Sequence, residues 1–302
     1  MRLSLFLSMS ILLFMSCQKK VTFADTSLTE SYDQFNSNQS EETAKNFAGK
    51  VVEYLLLNPD GEDRQKALET GMKVSDQFNL TAAKSSFLTT TIKEFPRDAK
   101  TPDRVFELAS LMKSLGKTEA NNALIYSFLE KYKDHPKADE AKKMLSSEIS
   151  DIDQYVTDLG NKVFENPDDF GINQNSAQAY VDACEAYAMV NPESVVAPDF
   201  LYKAAEIART LRTFPKALSL YDWIIDSYPE YEKSPTSLFL KAYVLENNLN
   251  DIDRARTSYE AFLSKYPNHH LSDDVNFLLE NLGKSDDEIL EIITKKKEGQ
   301  EQ

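Results

Sequence analysis

Glycine is scarce in this 302-residue chain, with 8 residues, and proline numbers only 11. An all-β fold draws on more turn residues than that, so the composition favours helices joined by short turns. Histidine and cysteine are scarcer still, at 3 and 2. His135, His269 and His270 have no Cys or carboxylate partners at metal-ligand spacing, and they fall between helical segments, where they read as solvated turn residues. Basic residues are the minority, 34 against 49 acidic, for a net charge of −15. A nucleic-acid surface needs clustered cations to displace counterions from phosphate, so nucleic acid is not an expected partner. No phosphate-cradling glycine loop, serine elbow or pair of catalytic acids is present. The acidic clusters NPDGED, NPDDFGIN and GKSDDE do not alternate their oxygens as a calcium loop does. The sequence is therefore not expected to be an enzyme, and no metal or cofactor is implied.

A bilayer-spanning run is also missing. The longest apolar stretch, Leu3 to Met15, is too short to cross a membrane as a helix. With Arg2 before it and Ser16–Cys17 after it, residues 1–16 have the layout of a secretory signal. The small residue followed by Cys17 resembles a bacterial lipobox, which implies cleavage before Cys17 and acylation of its thiol. Gln18, where an Asp would favour inner-membrane retention, resembles an outer-membrane address. Removing residues 1–16 takes away Arg2 and no acid, leaving 33 basic and 49 acidic side chains. An acylated Cys17 leaves Cys184 without a partner, and its setting in AYVDACEAYAMV reads as a buried, inert thiol. Residues 17–40 are rich in Ser, Thr, Asn and Gln without a sustained apolar period, and read as a flexible tether.

From Glu41 onward apolar residues fall at three- and four-residue spacing. Helices are expected over 41–57, 62–78, 80–95, 102–115, 118–132, 136–147, 149–165, 174–190, 198–211, 214–228, 235–247, 251–266, 271–282 and 286–296. Every proline falls at or near a helix end, where it is tolerated. Pro96 and Pro102, Pro192 and Pro198, and Pro229 and Pro235 each stand six residues apart. Counting from the second proline of each pair, the fifth residue is Phe106, Tyr202 or Phe239 and the eighth is Ala109, Ala205 or Ala242. Ala217, Tyr221, Tyr228 and Pro229 recur 38 residues later as Ala255, Tyr259, Tyr266 and Pro267.

This pattern resembles the tetratricopeptide repeat, two antiparallel helices with small residues, an aromatic and a closing Pro at fixed places. Leu201, Ala204, Ala205, Ala208, Ala217, Tyr221, Ile224 and Pro229 fall on those places. Leu238, Ala242, Leu245, Ala255, Tyr259, Phe262 and Pro267 do nearly as well. Around residue 105 the match weakens, because Asn121 and Lys133 replace the expected Ala and Pro, and 62–96 keeps only the outline. The resemblance implies an all-α helix-turn-helix solenoid coiled as a right-handed superhelix. It is expected over 41–284 with an irregular junction near 166–175, as one continuous array in preference to two. Residues 285–302 are expected to form a capping helix and tail, with Ser285 as N-cap and Asp286, Asp287 and Glu288 in the first turn.

In repeats of this type the first helix of each pair lines the concave face. That implies a groove carrying Phe106 and Lys113, then Tyr202, Glu206 and Arg209, then Phe239, Tyr243 and Glu246, suited to an extended peptide or a partner helix. The competing reading is that the aromatics pack between neighbouring units. With the lipobox, the whole is similar to envelope lipoproteins with such repeats, including those of outer-membrane assembly. The expected function is an interaction scaffold, anchored by lipid at the bacterial cell envelope, whose partner is an envelope protein or peptide. The alternative is a glycan-binding surface lipoprotein using Tyr202 and Tyr243.

Overall fold

The structure is a computed structural model that describes residues 21–167, 171–284, 287, 288, 290 and 291. Cys17, Ser285, Asp286 and most of the expected 286–296 helix lie outside the described residues. Among those described there are fourteen α-helices and no strand. None of these helices is long and apolar enough to cross a membrane. The chain divides into two compact units, one ending at Phe87 and the other starting at Leu88.

The helices are α1 (Thr26–Ser37), α2 (Glu41–Leu57), α3 (Arg64–Gln77), α4 (Thr81–Glu94), α5 (Thr101–Ser114), α6 (Thr118–Lys131) and α7 (Ala138–Lys142). There follow α8 (Ile152–Lys162), α9 (Gln174–Val190), α10 (Ala197–Thr210), α11 (Phe214–Ser227), α12 (Ser234–Asn247), α13 (Ile252–Lys265) and α14 (Ser272–Glu280).

Backbone hydrogen bonds carry a regularity that the side chains only sketch. Six joints each consist of two successive three-residue steps. In the first, Gly61 N donates to Asn58 O and Arg64 N to Gly61 O. The others run through Phe95, Asp98 and Thr101; Tyr132, His135 and Ala138; Asn191, Ser194 and Ala197; Tyr228, Tyr231 and Ser234; and Tyr266, His269 and Ser272. Successive joints begin 37, 37, 59, 37 and 38 residues apart. The proline pairs follow from this geometry. One proline stands directly after the first residue of a joint and the other directly after its last, where a helix can start without the missing N–H.

Turns inside a pair share a second device. Asn79, Gly116, Arg212 and Asn250 hold φ of 54°, 72°, 57° and 52°, in the left-handed region. In the first three turns the following amide donates five residues back, as Leu80 N to Ser75 O, Lys117 N to Met112 O and Thr213 N to Ala208 O. The last turn is one residue longer, and the step becomes six, Asp251 N to Leu245 O. This is the left-handed helix cap that satisfies the final carbonyls and reverses the chain. The 62–96 segment, of which the sequence keeps only the outline, has both devices.

In the first unit α1 packs on α2 and α2 on α3. Phe23, Leu28, Phe35 and Phe47 are buried, with Tyr32 5.0 Å from Phe47 and Phe35 5.8 Å from Phe78. This corrects the expected tether: residues 26–37 are a helix, capped by Asp25 accepting from Leu28 N at 2.7 Å. Leu28, Tyr32 and Phe35 form a single apolar stripe, too short and too diluted by polar neighbours to read as a period. Ser40 and Thr43 then form a capping box that starts α2. Gly71 lets the Phe87 ring close on α3, because a Cβ there would meet that ring at 2.8 Å.

In the second unit α5 packs on α6, α6 on α9, α9 on α10, and each later helix on the next through α14. The fold is thus an all-α array of tetratricopeptide-like helix pairs. The 59-residue interval, against 37 for its neighbours, holds α7 and α8. Direct contact of α6 with α9 is made by Lys131 Nζ to Val190 O at 2.7 Å, Asn191 Nδ2 to Ser127 Oγ at 2.8 Å and Lys117 with Asp182 at 2.8 Å. The expected 136–147 helix is corrected to five residues. Ser146 N donates to Asn122 Oδ1 at 3.1 Å instead of continuing the helical ladder. Asn121, which stands where the repeat pattern has Ala, is buried beside Asn122. Their amides donate to Met144 O at 3.1 Å and to Tyr155 Oη at 3.0 Å, which ties the inserted segment down.

His270 is an exposed turn residue, as expected, but the other two histidines need correction. His135 and His269 take the middle position of two joints, each meeting a phenylalanine edge-on, Phe128 at 5.2 Å and Phe262 at 5.6 Å. Each Nδ1 accepts a backbone amide, from Lys137 and Leu271 respectively, at 3.3 Å. Burial, with His270 beside it, lowers the pKa of His269. They are structural parts of the turn. Cys184 is fully buried and burial pushes its thiol pKa well up, as expected of an inert side chain.

Candidate functional site

Helices α10 and α12 bury small residues toward their neighbours. Ala204, Ala205, Ala208 and Ala242 have no exposed surface, so the helices approach closely. Their opposite faces stay open: Tyr202, Glu206, Arg209, Phe239 and Glu246 are half-buried and Tyr243 is 38% exposed.

Glu206 and Glu246 are held from below. Tyr221 Oη, on α11, donates to Glu206, and Tyr259 Oη, on α13, donates to Glu246 at 2.7 Å. Both tyrosine rings are fully buried, and burial raises both phenol pKa values, with the facing carboxylate adding to the effect. The recurrent tyrosine of the repeat therefore positions a carboxylate at the surface. Glu206 also pairs with Arg209 at 2.8 Å, and that bond raises the arginine pKa.

Asp199, at the start of α10, gathers the next joint. It accepts from Tyr231 Oη and Lys233 Nζ, each at 3.1 Å, and pairs with Lys203 at 2.6 Å. Burial works against its charge, but the bonds from Lys203 and Lys233 hold its pKa below the ordinary value. Lys233 Nζ lies 5.1 Å from the centroid of the Tyr202 ring.

Two clefts open on this surface. One, of about 380 Å³, lies between α8 and α10, walled by Val163, Phe164, Tyr180, Phe200, Tyr202 and Ile207, with Lys203 and Glu206 at its polar edge. The other, of about 470 Å³, lies between the ends of α10 and α12, where Arg209, Arg212, Phe214, Tyr243, Asn247 and Asn248 converge. The first offers aromatic walls to an apolar side chain; the second offers guanidinium and amide donors to a carboxylate.

The eight groove candidates thus separate. Tyr202, Glu206, Arg209, Phe239, Tyr243 and Glu246 lie on α10 and α12, and Phe239 and Tyr243 have ring centroids 6.3 Å apart. Phe106 is a packing residue instead: it is 7% exposed, 6.0 Å from the Phe128 ring, with Lys137 Nζ 4.9 Å over its face. Lys113, beside it on α5, reaches Met144 O at 3.4 Å, so the inserted segment occupies that position. Sequence reasoning missed Arg212 and the α8 wall of the first cleft. A bulky residue at a left-handed turn position was the available signal for Arg212; nothing in the pattern marked Phe164. Among the described residues no group of three or more His, Cys, Asp or Glu is placed to hold a metal.

No curated protein matches the chain. Residues 236–269, which take in most of α12, all of α13 and the start of the joint that follows, match the family model described as Tetratricopeptide repeat, a module typically used as a non-catalytic protein-interaction scaffold.

Proposed function

We propose that the chain is an interaction scaffold held by lipid on Cys17 at the bacterial cell envelope, in the outer membrane, where it serves envelope assembly. The open face of α10 and α12 receives a segment of an envelope protein. An apolar side chain of that segment seats against Tyr202, Phe164 and Ile207, and a carboxylate meets Arg209 and Arg212. The observation that carries this reading is the pair of clefts on a face whose charges are held in place by buried tyrosines. A preorganised surface spends less binding energy on ordering its own side chains.

Crosslinking in intact cells that produce the full chain tests it. A discrete adduct is expected from the natural protein and is lost from Tyr202→Ala combined with Arg209→Glu, with the chain still folded by circular dichroism. An adduct unchanged by both substitutions contradicts the site. For the anchor, Cys17→Ala is expected to move the protein from membrane to aqueous fractions; retention in the membrane contradicts lipidation.

A further inference from the structure

The first unit carries an apolar end that no described residue covers. Leu56 and Leu57, in the last turn of α2, are 77% and 71% exposed, and Val52, one turn earlier, is 43% exposed. Fraying does not explain them, because Arg64 Nη1 donates to Leu55 O at 2.6 Å and to Asn58 O at 2.7 Å, which fixes the helix end. An apolar pair held rigidly in water marks a contact surface.

Where the chain joins the fold says what covers it. Thr22 O accepts from Lys66 Nζ, Ala24 N donates to the Asp63 carboxylate, and Lys66 Nζ lies 5.1 Å from the Phe23 ring. Phe23 is buried, 6.3 Å from Phe47, and its amide donates to Thr29 Oγ1 at 2.8 Å. Thr22 to Ala24 is therefore fastened to the joint that follows α2, at the same end of the unit as Leu56 and Leu57. Cys17 precedes Thr22 by five residues, a reach of roughly 17 Å at most.

We infer that Leu56 and Leu57, with Val52 behind them, insert into the interface of the bilayer that holds the Cys17 acyl chains, and so fix how the first unit stands on the membrane. This rests on the lipid anchor proposed above. The anchor makes the second contact intramolecular, so a small apolar patch that would not bind a membrane alone stays engaged. Asp60 and Glu62, exposed on the same joint, repel anionic headgroups and favour a zwitterionic surface.

The test uses the full chain, acylated on Cys17, carrying Leu56→Cys labelled with bimane. Cys184 is buried and the Cys17 thiol is blocked, so the label goes to one site. On phosphatidylethanolamine–phosphatidylcholine vesicles with brominated acyl chains, bimane at position 56 is expected to be quenched severalfold more than bimane at Lys73→Cys, further along α3. Adding anionic lipid is expected to weaken the difference. Equal quenching at both positions, while the protein floats with the vesicles, overturns the insertion and leaves the anchor standing. Mutual protection of position 56 in a dimer without quenching overturns it in favour of a second copy. A chain without acyl mass on Cys17 that fails to float overturns the anchor, and the insertion with it.

Discussion

Arg212 holds a left-handed backbone that costs a non-glycine residue about 1–2 kcal/mol. The corresponding turns use Gly116, Asn79 and Asn250, residue types that adopt this conformation more readily. Retaining arginine there fits its place beside Arg209 in the cleft between α10 and α12. Arg212→Gly is therefore expected to raise stability by about 0.5 kcal/mol, since glycine's greater unfolded-state freedom offsets part of the relief. A urea midpoint that does not rise speaks against backbone strain. The tyrosine pairs give a second test at this scale. Tyr259→Phe keeps the buried ring and removes the bond to Glu246, with an expected loss of about 1 kcal/mol, read from denaturant unfolding. No loss shows that water replaces the phenol on Glu246. The sequence made Tyr221 and Tyr259 legible as repeat positions, but not their carboxylate partners. Glu206 and Glu246 occupy different places in their helices, and only packing brings each over its tyrosine.

At the scale of the element, most helices were legible because proline and the apolar period agree. Two departures have physical causes. Helix α1 hides in a polar segment because a twelve-residue helix needs only one stripe, and its stability comes from the aromatics it meets on α2. Phe35→Ala removes a ring that is 3% exposed and is expected to cost about 3 kcal/mol. Hydrogen exchange in α1 is expected to rise before global unfolding, and unchanged protection contradicts its place in the fold. The shortened α7 was illegible for another reason. Residues 136–147 keep a helical period, and the chain leaves it because Asn122 captures Ser146, a contact 24 residues away in sequence. The repeat itself is written more fully in the backbone than in the side chains. The joints at Asn58 and Tyr132 follow the same two-step pattern as that at Tyr228, and both lie outside the segment 236–269 that the family model matches.

For the molecule as a whole, carboxylates held by specific donors give a pH dependence with a defined sign. Asp98, Asp103 and Asp199 have pKa values held below that of an ordinary aspartate. The Lys100 amide acts first on Asp98, the Lys137 ammonium acts first on Asp103, and Lys203 and Lys233 outweigh burial at Asp199. A carboxyl group whose folded pKa is depressed adds stability that is complete above its unfolded pKa and disappears as pH falls through the folded one. The urea midpoint of the second unit is expected to decline below about pH 4, and Asp199→Asn is expected to flatten that decline. A variant with the natural slope shows that the Asp199 cluster contributes nothing to it.

The groove reading comes down to which face of the second unit a partner touches, and photo-crosslinking in cells measures that directly. Benzoylphenylalanine is placed in turn at Tyr202, Phe239 and Tyr243, and at Val195, which is 91% exposed in the joint before α10. The expected result is one discrete adduct of the same mass from the three positions on α10 and α12 and none from Val195. Adducts from Val195 alone, or equally from all four, contradict the assignment of the α10 and α12 face as the binding surface.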